Sequence, residues 1–187
     1  MRFVALVAAV VACLHAGLWA LTRGLEIAPN VSGQIASLSY TPFDGSAHPD
    51  SGKRSSAGQI RADLKVLAPL TRMVRTYSST GGSELVPEIA QEFGLKVSIG
   101  AWIDKNTERN TREMRAVIDL ARKHRNVDSV VVGNETIYRA DQTIDELIRK
   151  IQRVKRETSV AVTTGEIWNV WLEHPELVSA VDFIAAH

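Results

Sequence analysis

The chain has 187 residues, enough for one well-buried domain and too few for two comfortable ones. It carries 22 Lys and Arg against 21 Asp and Glu, a formal net charge of +1 with both signs mixed along the chain, so the basic stripe expected of a nucleic-acid partner is missing. A single cysteine, Cys13, excludes an intrachain disulfide, and no Cys/His cluster has metal-ligand spacing, so the sequence calls for neither metal nor cofactor.

The first predicted element is apolar. Residues 3–21 are interrupted only by His15, Gly17 and small alanines, with Arg2 before and Arg23 after. At about 1.5 Å per residue such a helix nearly spans a hydrocarbon core of roughly 30 Å. It reads as an uncleaved membrane anchor or a cleaved signal, with a buried core helix as a third reading. Leu18-Trp19-Ala20 is a poor cleavage site. Val10-Val11-Ala12-Cys13 only loosely matches a lipoprotein box, because it lies early and bulky Leu14 follows. An anchor or a signal places the remainder outside the cytoplasm, at the cell envelope. The predicted organisation is an anchor or signal over residues 1–24, a linker over 25–34 and a folded domain over 35–187.

Within that domain, strands and helices alternate. Residues 35–40 read as a strand and 41–57 as a long Gly/Pro/Ser-rich loop, of the kind that often carries function. Ile60, Leu64, Leu67 and Leu70 fall at helical spacing, and Pro69 marks that helix's end. A strand at 71–77 is followed by a helix at 84–93 with Pro87 in its first turn and Gly94 as its stop. Strand 95–102, helix 107–124, strand 127–132, helix 143–157, strand 159–164, a short helix over 172–180 and strand 181–186 complete the series.

Six strands separated by helices of this length indicate a parallel sheet. A doubly wound open sheet and a TIM barrel both fit. The absence of a Gly-rich phosphate loop after the first strand weakens the former. The barrel is favoured because each strand runs into a residue suited to binding or chemistry: Tyr40, Tyr77, Trp102, Glu135, Glu166 and His187. In a TIM barrel such positions converge on the C-terminal face. The predicted fold is therefore an α/β, incomplete (β/α)8 TIM barrel of about six of eight units, preceded by the apolar helix. A whole barrel typically takes about 250 residues, so the last two units are expected beyond His187.

The most informative stretch is Val130-Val131-Val132-Gly133-Asn134-Glu135, an apolar strand running straight into Gly-Asn-Glu. Gly133 allows a tight turn. A glutamic acid delivered there can protonate a departing glycosidic oxygen, and Asn134 can hydrogen-bond a sugar hydroxyl. The competing reading is a helix N-cap at Asn134 or Thr136, with Glu135 favoured by the dipole. Four more motifs accompany it in order: Leu38-Ser39-Tyr40-Thr41-Pro42-Phe43, Val74-Arg75-Thr76-Tyr77-Ser78, Gly100-Ala101-Trp102-Ile103-Asp104 and Thr164-Gly165-Glu166-Ile167-Trp168-Asn169-Val170-Trp171. From about residue 35 to residue 187 the chain resembles glycoside hydrolase family 17, in its bacterial β-glucanase and glucanosyltransferase-like branch. The resemblance implies a retaining barrel enzyme acting on β-1,3-type glucans, with Glu135 as the acid/base and Asn134 beside it. Ile167 stands where the family pattern leads one to expect proline. The resemblance also places the family's nucleophilic glutamate on a later strand than any read here, so this stretch by itself is expected to be inactive.

Aromatic faces suit the apolar side of a pyranose. Trp102 and Trp168 are therefore candidate sugar platforms, with core packing as the alternative, whereas Trp171 is expected in the core. Tyr77 is either a site hydrogen-bond donor or a barrel-core tyrosine. Arg75, two residues earlier and on the same face, is a candidate ion-pair partner of Glu135 or of the nucleophilic glutamate expected on a later strand. Tyr40, Glu166 and His187 complete the candidate substrate-binding set. His48, His124 and His174 are expected at the surface and His15 in the apolar helix. The leading functional reading is a membrane-tethered or secreted β-glucan glycosidase or transglycosidase. The alternative is a non-catalytic carbohydrate-binding remnant.

Overall fold

The computed structural model describes residues 2–24, 32–43 and 52–187. The greater part of the predicted 25–34 linker and residues 44–51 of the 41–57 loop, His48 among them, lie outside the described residues. The chain divides into two compact units, Met1–Ser32 and Gly33–His187.

In the first unit, α1 (Arg2–Thr22) is a 21-residue, strongly apolar helix with no buried residue. Its length of about 31 Å at 1.5 Å per residue matches a bilayer core, and length and composition together make it able to cross one.

In the second unit, β1 (Leu38–Ser39), β2 (Met73–Arg75), β3 (Lys96–Ala101), β4 (Val127–Asn134), β5 (Ala161–Glu166) and β6 (Ala185–Ala186) form one sheet in the order β1-β2-β3-β4-β5-β6. Every neighbouring pair is parallel. A doubly wound sheet reverses its strand order at a switch point. A sequential order with right-handed crossovers instead leaves all helices on one face and curls the sheet, so the structure is part of a (β/α)8 barrel.

The covering helices follow from the sequence. Helix α2 (Ala57–Leu67) starts at Ser56, whose side chain accepts from Gln59 N. Helix α3 (Val86–Glu92) follows a 3₁₀ turn, and α4 (Thr107–Lys123) is capped by Asn106. Helix α5 (Ile144–Glu157) begins with a capping box between Thr143 and Glu146. Ile60, Leu64, Val117, Leu147, Ile151 and Val154 pack against Val74, Val97, Ile99, Val130, Val132 and Val162 from the sheet. Each fully buried aliphatic side chain contributes about 1.5–3 kcal/mol relative to exposure.

Three expectations need correction. The helix predicted over 172–180 is two helices, α6 (Trp168–Glu173) and α7 (Pro175–Ala180). Pro175 lacks an N–H and drives the preceding residue out of the helical region, and His174 sits at φ −129°, ψ 70°. β4 and β5 each run two residues further than predicted, through Asn134 and Glu166. His124, expected at the surface, is buried at the end of α4, and that burial lowers its pKa.

Candidate active site

Strand parity determines which side chains reach the barrel interior. Register pairs Ser39 with Arg75, Arg75 with Ser98, Ser98 with Ser129, and Gly165 with both Asn134 and Ala185. These residues share one face, while Val74, Val97, Val130 and Val162 point to the helices. The interior is thus small and hydroxylic, and Ser129 Oγ donates to Ser98 Oγ at 2.9 Å.

The end of β4 is built to turn a carboxylate inward. Its pairing with β5 shifts register between Val131 and Asn134. Gly133 lies at φ +82°, where a Cβ would stand 2.3 Å from Thr136 Oγ1. Glu135 itself sits at φ +53°, unusual for a residue with a side chain. Its N–H donates to Gly165 O at 2.6 Å, pinning the turn to β5. The N-cap reading of this segment is not met: residues 135–140 form turns, α5 is capped by Thr143, and the Glu135 carboxylate contacts a side chain.

That contact is His187, whose Nε2 lies 2.9 Å from Glu135 Oε1. Both side chains are about one-third exposed, at 37% and 32%, so a ligand can reach them. Arg75 Nη2 donates to Asn134 Oδ1 at 2.9 Å, and the expected Arg75–Glu135 ion pair is replaced by this bond. The Asn134 amide oxygen is thereby occupied. Arg75 also covers the ring of Tyr77 at 5.0 Å, and Tyr77 OH donates to Ser39 Oγ at 3.1 Å. Arg75, Asn134 and His187 converge above Gly165, where a Cβ would come within 2.7 Å of Arg75 Nη2, 3.2 Å of Asn134 Oδ1 and 3.5 Å of His187 Cε1. Gly165 is the floor that makes room for the cluster.

Two candidate binding residues lie on the opposite face. Tyr40 follows inward-facing Ser39, so it points to α2, is buried, and donates to Asp63 Oδ2 at 2.8 Å. Burial and the Asp63 carboxylate push its phenol far above the usual range. Glu166 follows Gly165, is fully buried, and accepts from Ile137 N at 2.9 Å and Tyr138 N at 3.4 Å. Burial raises its carboxyl above the usual range, opposed by those backbone donors. Neither side chain is brought to the interior. Glu166 instead braces the turn that carries Glu135. Glu166→Gln would keep one acceptor but set an NH2 against a backbone donor. It is expected to lower stability by about 1–3 kcal/mol, read as a drop in melting temperature; unchanged melting would remove the brace.

Trp102 is half-buried, with the Arg139 guanidinium 4.6 Å from its ring centre. Trp168 is 66% exposed, and Trp171 is core, its Nε1 donating to Glu166 O at 3.2 Å. A cavity of about 600 Å³ opens beside the ends of β1–β3, lined among others by Pro42, Phe43, Tyr77, Trp102 and Glu113. Glu135 is not among its lining residues, so the cavity adjoins the cluster through Tyr77 and Trp102. Glu113, unnoticed in the sequence, is a buried carboxylate of α4 that accepts from Ser78 Oγ at 2.6 Å, Ser79 N at 2.9 Å and Trp102 N at 3.3 Å. The sequence signal was an acidic residue beside Met114 on the apolar face of a helix. Among the described residues, no group of three or more His, Cys, Asp or Glu could hold a metal ion.

The same chain has relatives of known kind. It is 29% identical over 176 residues to the probable glucan endo-1,3-beta-glucosidase btgC of Aspergillus terreus, covering 85% of this chain and 26% of that relative. The glucan 1,3-beta-glucosidase of Schizosaccharomyces pombe is 29% identical over 140 residues, covering 67% of this chain and 43% of that relative. An active-site mutant of the Rhizomucor miehei beta-1,3-glucanosyltransferase in complex with laminaritriose superposes with a TM-score of 0.66 at 25% identity, over 80% of this chain and 55% of that one. The chain therefore spans about a quarter of the Aspergillus relative and about half of the Rhizomucor structure. The family model of the BtgE/BtgC glycoside hydrolase domain matches residues 37–187, which takes in every strand of the sheet and the whole Arg75–Asn134–Glu135–His187 cluster. The resemblance to glycoside hydrolase family 17 carried by the five motifs accordingly holds, and the chain belongs to the BtgE/BtgC glycoside hydrolase domain family.

Proposed function

We propose that this chain carries the acid/base side of a retaining β-1,3-glucan hydrolase or glucanosyltransferase, with Glu135 as the proton donor. One observation carries the reading: a glutamate turned inward at the end of β4, partly exposed and held 2.9 Å from His187. With Nε2 protonated, His187 donates to Oε1 and leaves Oε2 for the transferred proton. In the first step Glu135 protonates the glycosidic oxygen as the bond to the anomeric carbon breaks. In the second, its carboxylate takes the proton of an incoming water or sugar hydroxyl. Asn134, held by Arg75, orients a sugar hydroxyl beside that bond. Retention also needs a second carboxyl about 5–5.5 Å from the first. Among the described residues, the interior positions of the six strands supply none, because Glu166 faces the helices. Turnover of a β-1,3-glucan by the intact protein tests this reading against the alternative of a sugar-binding domain without turnover.

The names of the relatives support a β-1,3-glucan as the ligand. Tyr77 and Trp102 form aromatic walls where a pyranose face can stack. Helix α1 suits a tether or signal that places the barrel in the cell envelope, where exported glucan lies. Trp102→Ala tests the sugar site. It is expected to weaken laminari-oligosaccharide binding about tenfold, the equivalent of 1.4 kcal/mol, with little change in melting temperature. A large loss of melting temperature with unchanged affinity would make Trp102 a core residue.

A further inference from the structure

Arg139 lies in the turn between β4 and α5 and belongs to none of the sequence motifs, yet it has the densest set of contacts around the site. Its Nη1 donates to Asn134 O. Its Nη2 donates to Ile103 O at 3.0 Å, and its Nε to Asp141 Oδ2 at 2.8 Å. Its backbone N–H donates to Glu135 O at 2.8 Å. The guanidinium carbon lies over the Trp102 ring, 4.6 Å from its centre. The two carbonyls it holds belong to residues directly adjacent in sequence to Glu135 and Trp102.

We propose that Arg139 is a positioning residue that locks Glu135 and Trp102 into one rigid unit across the ends of β3 and β4. The reasoning is geometric and rests on Glu135 and Trp102 having the roles proposed above. Glu135 occupies a left-handed backbone conformation that a side-chain-bearing residue keeps only when its surroundings over-determine it. Arg139 supplies two of the restraining bonds, one on Asn134 O and one on Glu135 O. The same guanidinium lies over Trp102, which also lines the cavity beside the ends of β1–β3. A planar fork with donors in three directions and a stacking face does this, whereas a lysine ammonium is a point charge and cannot. The arrangement makes the proton donor and the sugar platform move together: a glycosyl unit seated on Trp102 meets a carboxyl already in place. A displacement near 1 Å at a reacting group can cost on the order of 100-fold in rate.

The test is Arg139→Lys in the intact protein, with Asp141→Asn as a milder variant that loosens the guanidinium without removing it. Three readouts are taken: turnover of laminari-oligosaccharides and of an activated aryl β-glucoside, amide exchange of residues 135–138, and Trp102 fluorescence. Arg139→Lys is expected to slow oligosaccharide turnover about 10- to 100-fold. It should lower kcat/KM for the aryl glycoside less, because that leaving group needs little protonation in the first step, which kcat/KM reports. Exchange at residues 135–138 should rise at least severalfold and Trp102 emission should shift, with Asp141→Asn intermediate in each. Equal losses on both substrates, or unchanged exchange and emission, would overturn the lock. If the unmodified protein turns over no β-1,3-glucan, the functional reading fails by itself, and exchange and emission still decide whether Arg139 holds the two residues.

Discussion

Glu135→Gln is expected to keep the fold and sugar binding while slowing turnover of β-1,3-glucan by about 100- to 10,000-fold, the usual worth of general acid–base help. Glutamine preserves the size of the side chain and an acceptor for His187, now 2.9 Å from Oε1, but has no proton to give. The loss should depend on the leaving group. An aryl glycoside whose phenol departs without protonation should keep a nearly normal first step, while a natural oligosaccharide should not. The measurement is kcat/KM, which reports the first step, on a series of aryl β-glucosides of graded leaving-group acidity, beside laminari-oligosaccharides. A small, equal loss throughout the series would mean that Glu135 only shapes the turn after β4.

Gly133→Ala is expected to do large structural damage at the turn that carries Glu135. The position lies at φ +82°, and its new Cβ would stand 2.3 Å from Thr136 Oγ1 and 3.3 Å from Thr136 Cβ. Thr136 is fully buried and short, so it cannot swing away. The left-handed conformation costs an alanine about 1–2 kcal/mol, and overpacking a close-packed site adds about 1–3 kcal/mol. Chemical denaturation should show a loss of about 2–5 kcal/mol from these two causes together, and kcat should fall because Asn134 and Glu135 follow directly. A variant with unchanged stability would mean that the turn relaxes freely, and that the inward aim of Glu135 does not depend on Gly133.

Much of this was legible in the chain. Apolar runs alternating with helically spaced apolar residues gave the β/α units, and Pro87 and Gly94 marked the start and stop of one helix. The convergence of Tyr77, Trp102, Glu135 and His187 near the strand ends followed from barrel geometry. Tyr40 and Glu166 were misplaced because a strand's last residue faces either side, and a slip of one residue exchanges the faces. Only the pairing of Ser39 with Arg75 and of Gly165 with Asn134 decides it. The break at His174 was signalled by Pro175. Arg139 left no signal, since its main partners are the carbonyls of Asn134 and Ile103, which every residue carries and no sequence pattern marks.

The central claim, that Glu135 is the acid/base of a double displacement, is tested most directly by the stereochemistry of a trapped product. Glu135→Ala leaves a space that azide can enter. With an activated aryl β-glucoside the first displacement needs no proton donor, and azide needs no general base to attack the resulting α-linked intermediate. Two inversions give net retention. Proton NMR of the product should therefore show the β-glucosyl azide, with turnover restored as azide is added. An α-glucosyl azide would mean a single displacement in which azide replaces Glu135 itself, making it the nucleophile. Full activity without azide and no azide product would remove Glu135 from the mechanism.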